Sequence, residues 1–357
     1  DLTADSGGEE RAADLLEEFF AGLPVSIERI TPHPGRTSLV VTVEGADPGS
    51  VGTPLTILGH TDVVPVDEAK WTRDPFGAQI EDDVMWGRGT VDMLHLTAAM
   101  AVVTREVARR AQEGNPPARS LVFVAAADEE ARGGLGVPWI GEHRADALPW
   151  DAALSEMGGA HIRGRRGGDS VVVVVGEKGA AQRRLHIRGD AGHGSVPLGR
   201  TSAVERLAQV SAALSSARWP TATDEVWAGF VRAFEFDETT ETSLINGTYE
   251  GDYSEFADLA AFAHAISHVT VAQTVARSGG PINVMPSHAI LELDIRTLPG
   301  VDDDDVDAAI AAALGDLSEH VTIERLLSEA ATASSIDTDL YRSIEAALRR
   351  RYPRASV

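Results

Sequence analysis

The sequence predicts an α/β domain with a mainly parallel sheet, interrupted by a smaller α+β domain with a ferredoxin-like order of elements. Two observations predict this fold class. In the first half of the chain, apolar runs such as residues 54–60 and 120–127 alternate with helical segments, which is typical of a parallel sheet covered by helices. After residue 178, once an acidic helical stretch is set aside, the order becomes β-α-β-β-α-β, the split ferredoxin-like pattern.

The elements of the first domain follow from their apolar periodicity. Strands are expected at four apolar runs, namely residues 38–45, 54–60, 120–127 and 151–156. Helices are expected at three segments, namely residues 9–22, 92–110 and 137–147. The second of these helices begins at Thr90 or Asp92, and either side chain can cap a helix N-terminus.

The elements of the second domain are predicted in the same way. Strands are expected at residues 180–190, as a pair within 283–300, and at 320–327. Helices are expected at about 201–217 and at 302–316, with a helical, acidic stretch that reaches about Val275. A last helix at 335–352 is expected to return to the first domain. The predicted limits are therefore 1–178 for the first part of the α/β domain, 179–329 for the inserted domain and 330–357 for the returning helix.

Composition and charge exclude several classes of protein. A chain of 357 residues with 43% hydrophobic and 24% charged residues suits a globular protein of two domains. A formal charge of −24 argues against nucleic acid and anionic membranes as partners. Because the chain has no cysteine, disulfides are excluded and any transition-metal site must use histidine and carboxylate. No targeting segment is visible, so we expect a cytoplasmic protein, with a removed leader as the alternative.

Acidic and histidine residues follow the predicted strands or begin the next helix. They are His60, Asp62, Asp92, Glu129, Glu130 and Glu156. In open α/β sheets, this carboxyl edge is where ligands bind. Each motif alone also has a plainer explanation, since the His60–Asp62 pair fits a hydrogen-bonded turn and Asp92 fits a helix cap. Their shared location favours a ligand site.

The types of these residues indicate a metal site. His60, Asp92, Glu130 and Glu156 are ligands suited to Zn²⁺, Mn²⁺ or Co²⁺. One carboxylate bridging two ions about 3.5–4 Å apart would form a co-catalytic pair. Glu129 and Glu130 leave the backbone in different directions, so one of them can bind metal while its neighbour acts as a general base.

The motifs resemble one family of co-catalytic zinc hydrolases, which includes aminoacylases, carnosinase-type dipeptidases, glutamate carboxypeptidases and succinyl-diaminopimelate desuccinylases. The resemblance is carried by "GHTDVVP", "WGRGTVDM", "DEE", "SEMGG", "GEKG", "GHGSVP" and "NVMPSHAILELDIRTLPG". These motifs occur in the family order and cover nearly the whole chain. The resemblance implies a zinc-peptidase catalytic domain and makes the inserted domain a lid that also forms a homodimer.

The resemblance also implies the metal ligands. It places His60 and Glu156 on one divalent ion and Glu130 on the other, with Asp92 bridging them. The two ions are expected to be zinc, with cobalt or manganese as alternatives. The family's second metal takes a further histidine near the C-terminus, whereas the last histidine here is His320, within the predicted lid. We therefore expect that the final strands of the catalytic domain lie outside this sequence.

Roles in catalysis and substrate binding are implied for five further residues. Glu129 is the expected base and acid, and Asp62 lies behind the metal-binding histidine. His193 reaches the partner subunit's site to stabilise the oxyanion, while Asn283 and Arg296 hold the substrate. Without the resemblance, His193 also fits an ordinary loop histidine, and Arg296 fits a surface ion pair.

The expected activity is hydrolysis of an amide bond in a dipeptide, a small peptide or an N-acyl amino acid by a metal-activated water. The alternative is a non-catalytic metal- or peptide-binding member of the same fold with an incomplete second metal site. Two residues of the motifs stay without an assigned function. His95, which stands three residues after Asp92, is a conceivable substitute ligand, and Asp128 has no predicted role.

Overall fold

A computed structural model describes residues 8–46, 53–131 and 134–357. The chain divides into two compact units, Asp1–Met157 and Gly158–Val357. No helix within the described ranges is long and apolar enough to cross a membrane.

The first unit is built on a mixed five-stranded sheet. Its described elements are α1 (Glu9–Phe19), β1 (Ser26–His33), β2 (Arg36–Val43), β3 (Leu55–His60), β4 (Gln79–Glu81), β5 (Val84–Trp86), α2 (Leu94–Gln112), β6 (Leu121–Ala126), α3 (Val137–His143) and β7 (Ala153–Leu154), with a short 3₁₀ turn at Glu68–Lys70. The strand order is β1-β2-β6-β3-β7. Strands β6, β3 and β7 are parallel, whereas β1, β2 and β6 are antiparallel.

Helices cover both faces of this sheet. On one face, Phe123 of β6 is fully buried in a cluster with residues of α1 and α2. On the other face, Val124 is fully buried in a cluster that includes Ile140 of α3. Every residue of β6 is therefore buried, as expected for a central strand covered on both faces. The α/β class predicted for this part of the chain is confirmed.

The sequence prediction missed two parts of the first unit. Strand β1 lies at the sheet edge, is only partly buried and contains Pro32, so its sequence lacks the apolar alternation of a strand. The hairpin of β4 and β5 is exposed throughout, and its three-residue strands are too short for a periodic signal. Both elements depend on pairing with a neighbour, which local sequence does not encode.

The second unit contains a five-stranded antiparallel sheet with two helices on it. Its described elements are β8 (His161–Arg163), β9 (Asp169–Val171), β10 (Gly176–Glu177), β11 (Gly179–Ala180), β12 (Arg183–Arg188), β13 (Gly192–His193), α4 (Ala203–Ser216), α5 (Glu225–Ala233), α6 (Glu238–Ile245), α7 (Ala260–Ser267), β14 (Thr270–Ser278), β15 (Val284–Met285), β16 (His288–Thr297), α8 (Asp303–Leu314), β17 (Val321–Arg325), β18 (Thr332–Ala333) and α9 (Asp339–Arg351), with 3₁₀ turns at Ser254–Leu259 and Gly315–His320.

The order of the main strands is β14-β16-β12-β17, and the short strand β11 pairs with one end of β16. Leu185 of β12 and Leu291 of β16 pack with Val210 of α4 and Ile310 of α8 in one buried cluster. Chain order and sheet order together give the split β-α-β-β-α-β arrangement, so the ferredoxin-like prediction is confirmed.

The prediction placed one strand of this sheet wrongly. The strand pair was expected within residues 283–300, but the partner of β16 is β14, which begins at Thr270 in the stretch predicted to be helical as far as Val275. The sequence TVAQTVARS is rich in β-branched residues and pairs along β16 with one bulge. Helix α7 directly precedes this strand, and the connection of only two residues, which includes the buried Val269, hides the change of period.

Segments on either side of the ferredoxin-like sheet contact each other within the second unit. Strand β10 pairs with β18, and Ser170 of β9 bridges to Ser356 beyond α9. This pairing links residues before position 179 to residues after position 329, and both segments belong to the second compact unit. The assignment of both segments to the catalytic domain remains a prediction.

One buried arginine holds helix α8 to the sheet. Arg183 of β12 has no exposed surface, and its guanidinium contacts Asp303 at 2.5 Å and Asp307 at 2.7 Å. We expect Arg183→Ala to destabilise this unit by about 3–5 kcal/mol, because two carboxylates would lose their buried partner. Denaturant unfolding monitored by circular dichroism measures the loss.

Arg325→Ala is the matched control. Arg325 also binds Asp304 and Asp307, but its side chain is 44% exposed. Solvent screens such a pair, so this change is expected to cost less than about 1 kcal/mol. Equal costs for the two variants would contradict the structural role given to Arg183.

Candidate active site

The parallel strands bring their carboxyl ends to one edge of the sheet. His60, the last residue of β3, is in register with Ala126, the last residue of β6. On the other side of β3, Ile57 is in register with Leu154 of β7, two residues before Glu156. The loops after β3, β6 and β7 therefore begin at the same edge, as predicted from the strand ends.

The turn before helix α2 carries Asp92, and residues at the start of the helix hold the backbone of His60. The expected cap by Thr90 or Asp92 is not formed, because the N-cap residue is Met93 and makes no side-chain hydrogen bond to the helix. The hydroxyl of Thr97 donates to the carbonyl of His60 at 2.9 Å, and the sulfur of Met93 accepts from the amide of His60 at 3.3 Å. Helix and strand approach so closely that a Cβ added at Gly59 would lie 2.5 Å from the Thr97 hydroxyl. Sequence reasoning missed Thr97, since nothing but this glycine signals the close approach.

Three predicted ligands converge around one imidazole nitrogen. Nε2 of His60 lies 3.1 Å from a carboxylate oxygen of Asp92 and 3.9 Å from one of Glu156. One ligand atom from each of the three residues lies within 4.8 Å of the other two. Glu129 also approaches, with a carboxylate oxygen 3.8 Å from the same Nε2. An imidazole and two carboxylates in this arrangement fit a divalent transition metal.

The fourth predicted ligand contains a buried oxygen that fits a metal. Oε1 of Glu130 is buried and has no hydrogen-bond partner among the residues that the structure describes. Burying such an oxygen without a partner costs several kcal/mol, and a cation offsets this cost. The side chains of His60, Asp92, Glu130 and Glu156 therefore fit the binding of metal ions.

Asp62 orients both the histidine and the loop after β6. Its backbone carbonyl lies 3.0 Å from Nδ1 of His60, whereas its carboxylate is 3.6 Å from the same nitrogen. A proton on Nδ1 leaves Nε2 free to face Asp92 and Glu156, which is the tautomer a metal requires. The Asp62 carboxylate accepts the amides of Glu129 at 3.1 Å and Glu130 at 2.9 Å.

These contacts determine the proton affinities of His60 and Asp62. Burial disfavours the imidazolium, but hydrogen bonds to Asp62 and the charge of Glu129 outweigh it and raise the pKa of His60 to about 9. Burial acts to raise the pKa of Asp62, whereas His60 and the two amides lower it overall. Asp62 therefore remains ionised and available to both partners.

The two glutamates have raised proton affinities. Burial is the main reason that the pKa of Glu129 is raised, and the charges of Glu156, Glu130 and Asp62 add to it against the attraction of His60. The pKa of Glu130 is also raised, first by burial and then by the charge of Asp92. Carboxylates crowded in this way favour either a proton or a cation.

We expect Asp62→Asn to weaken metal binding by about 10–100-fold, as is typical for residues that orient a metal-binding histidine. The amide can still accept one hydrogen bond, but it can no longer hold the Glu129 and Glu130 amides through two carboxylate oxygens. Competition with a chromogenic chelator measures the affinity. Unchanged affinity in a folded variant would contradict the orienting role.

Two predicted substrate residues lie together in the second unit. His193 in β13 pairs with Val284 in β15, and the amide of Gly194 donates to the carbonyl of Asn283 at 2.7 Å. The His193 ring is exposed, with Nδ1 2.7 Å from the hydroxyl of Ser195. This ladder holds His193 and Asn283 as neighbours, although 90 residues separate them in the chain.

Arg296 lies elsewhere, near the C-terminal end of β16. Its guanidinium contacts Asp294 at 2.9 Å and remains 48% exposed. Burial and then the charge of Arg296 lower the pKa of Lys178 to about 8, because the two cations lie close together. This end of the strand therefore brings two cations close together, and the charge of Arg296 is paired with that of Asp294.

The structure does not place His95, the conceivable substitute ligand, in the candidate metal cluster. His95 is exposed on the first turn of α2 and does not belong to the group formed by His60, Asp92 and Glu156. Asp92 precedes helix α2, whose N-cap is Met93, whereas His95 belongs to the helix itself, so the two side chains are not carried by one element.

The α/β sheet, the ferredoxin-like unit and the histidine–carboxylate cluster together define a protein of the metallopeptidase class. The sequence model of peptidase family M20/M25/M40 matches residues 56–357, and the chain belongs to this family. The resemblance inferred from the motifs is thereby confirmed.

Individual relatives agree with this assignment. The chain is 30% identical over 244 residues to a succinyl-diaminopimelate desuccinylase of Cereibacter sphaeroides, an alignment that covers 66% of this chain and 58% of the relative. It thus spans little more than half the length of that curated relative. Among solved structures, an M20 family metallo-carboxypeptidase from Sulfolobus solfataricus superposes with a TM-score of 0.63 at 18% identity, covering 97% of this chain and 79% of the other.

A second solved structure is similar over the same extent. A dinuclear metal-binding peptidase of the M20 family from Bacillus subtilis matches with a TM-score of 0.57 at 13% identity, covering 98% of this chain and 76% of the other. At these identities, both structures establish a shared fold.

Proposed function

We propose that this protein is a metal-dependent hydrolase that cleaves an amide bond in a dipeptide, a small peptide or an N-acyl amino acid. The observation that carries the proposal is the convergence of His60, Asp92 and Glu156, whose ligand atoms lie within 4.8 Å of one another. Glu129 lies beside this cluster and is not one of the proposed metal ligands. A metal site with an adjacent free carboxylate is what hydrolysis by an activated water requires.

Two divalent ions are proposed, held by His60 and Glu156 on one side and by Glu130 on the other, with Asp92 between them. The buried oxygen of Glu130 without a hydrogen-bond partner among the described residues supports the second position. The dinuclear site of the Bacillus subtilis relative supports it as well. Zinc is the proposed metal, with cobalt and manganese as alternatives. Bound ions of this kind polarise the substrate carbonyl and lower the pKa of a bound water.

Glu129 is proposed to move the proton. Its carboxylate takes a proton from the attacking water and passes it to the leaving amine. A raised pKa suits both steps, since it makes the carboxylate a stronger base toward water and brings the pKa of the acid form nearer to neutral pH. The Asp62 carboxylate binds the amide of Glu129 at 3.1 Å and so fixes the backbone that carries the base.

Substrate binding is proposed for the second unit. The exposed imidazole of His193 can stabilise the oxyanion, in the site of a partner subunit if the lid forms a homodimer. Its neighbour Asn283 and the half-exposed Arg296 can bind the carbonyl and the carboxylate of the substrate. The positive charge of Arg296 and Lys178 supports a substrate that ends in a carboxylate. The cytoplasmic location expected from the sequence remains a proposal too.

A substrate screen with controlled metal content tests this function. Purified protein is stripped with a chelator, reloaded with Zn²⁺, Co²⁺ or Mn²⁺, and assayed on N-acyl amino acids, N-succinyl amino acids and dipeptides. Hydrolysis of one class that depends on added metal supports the proposal. Metal-loaded protein that hydrolyses none of them would instead indicate a non-catalytic binder of the same fold.

A further inference from the structure

Asp128 precedes the two candidate active-site glutamates, and its side chain contacts other segments of the first unit. It is 6% exposed, and one of its carboxylate oxygens accepts the amide of Leu135 at 2.8 Å. The other oxygen lies 3.7 Å from the guanidinium of Arg36. A buried carboxylate of this kind requires partners, and Asp128 has both a cation and an amide.

The partners of Asp128 belong to a buried charge array at the start of the fold. Arg36, the first residue of β2, is 1% exposed and donates a hydrogen bond to the carboxylate of Glu9. Glu9 is 3% exposed and begins helix α1. The array of Glu9, Arg36 and Asp128 therefore connects α1 and β2 to the loop that follows β6.

The backbone at Asp128 changes the direction of the chain. Its φ angle is +63°, in the left-handed region that aspartate tolerates better than most residues. Just before it, the amide of Ala127 donates to the hydroxyl of Ser38 at 3.0 Å, and just after it, the amides of Glu129 and Glu130 donate to Asp62. The turn is thus held from β2 on one side and from the loop after β3 on the other.

We propose that Asp128 is a positioning residue, which through Arg36 and Glu9 fixes the turn that presents Glu129 as base and Glu130 as metal ligand. The inference rests on the proposed function of those two glutamates. Asp128 itself touches neither the metal ligands of the other loops nor the reacting atoms. Its effect comes from the position of the backbone that carries its two neighbours.

Two variants separate the parts of this role. Asp128→Ala removes both the Leu135 hydrogen bond and the contact with Arg36. Asp128→Asn keeps an oxygen for the Leu135 amide and tolerates a positive φ, but it loses the negative charge. Arg349→Ala provides a control, because it removes the ion pair of Arg349 with Glu345, which lies at the surface of α9.

The first readout is amide hydrogen exchange in the metal-free protein, which does not require activity. In Asp128→Ala, the amides of Glu129, Glu130 and Leu135 should exchange at least about tenfold faster, with a smaller change in Asp128→Asn. Faster exchange at Leu135 with unchanged exchange at both glutamates would overturn the proposal. A wild-type protein that binds no metal would refute the proposed function, while this readout would still decide the role of Asp128.

The second readout divides kcat from KM at a temperature where each variant is folded. We expect Asp128→Ala to lower kcat and the affinity for zinc by about 10–100-fold with little change in KM, since substrate contacts lie on other segments. Asp128→Asn should recover only the part of this loss that depends on the Leu135 hydrogen bond, because it lacks the charge that binds Arg36. A variant with lower thermal stability but wild-type kcat and zinc affinity would show a purely structural role and overturn the proposal.

Discussion

Replacing Glu129 with glutamine is expected to lower kcat by about 10²–10⁴-fold while the bound metal stays at the wild-type level. Glutamine keeps the size of the side chain, and the backbone amide that donates to Asp62 is unchanged, so the loop remains in place. It cannot accept a proton from water or deliver one to the leaving amine. Turnover of the best substrate from the screen and metal content by mass spectrometry, taken on one sample, measure both quantities.

Glu130→Gln is the matched comparison, because it makes the same chemical change one residue away. The uncharged amide binds metal poorly, so this variant is expected to lose metal first and activity as a consequence. High concentrations of added zinc should restore part of the activity of Glu130→Gln and none of that of Glu129→Gln. If both variants lose metal equally, the division of roles between the two glutamates is wrong.

Replacing Asp92 with asparagine is expected to remove metal from both positions. The Asp92 carboxylate lies 3.1 Å from Nε2 of His60, and its charge raises the pKa of Glu130, so it interacts with a proposed ligand of each ion. A neutral amide bridges two cations far less well than a carboxylate does. The amount of zinc that remains after dialysis should fall below about one ion per chain, with hydrolysis near background.

Asp316→Asn serves as the control for this change, since Asp316 is an exposed carboxylate in the second unit. It should retain full metal content and activity. An Asp92→Asn variant that loses only one ion would contradict the bridging role and make Asp92 a ligand of a single metal. Circular dichroism confirms that each variant is folded before the comparison.

The location of the site was predictable because the ends of the strands can be predicted from the apolar runs. Apolar runs mark β3 and β6, and parallel strands must end at the same edge, so His60, Glu129 and Glu130 were expected to be close. The identity of the metal ligands needed the resemblance as well, since spacing alone does not distinguish Glu129 from its neighbour. Asp92 fitted a helix cap equally well until the structure placed its carboxylate beside His60.

The supporting contacts were not predictable from sequence. Thr97 and Arg36 reach the site from α2 and β2 through tertiary packing, and neither belongs to a periodic pattern that marks its role. Strand β14 was missed for a related reason. The prediction continued the helical pattern of the residues before it, and its pairing with β16 is a tertiary contact that local sequence does not show. Local sequence encodes the period of an element, whereas its partner across the sheet depends on the whole fold.

The most direct test of the central claim is a metal titration of the chelator-stripped protein, with bound metal and amide hydrolysis measured on the same samples. The account predicts no hydrolysis without metal and activity that rises with bound zinc, cobalt or manganese up to about two ions per chain. Glu129→Gln should bind the same amount and stay inactive. Full hydrolysis in the metal-free protein, or saturation with metal without hydrolysis of any amide substrate, would contradict the account.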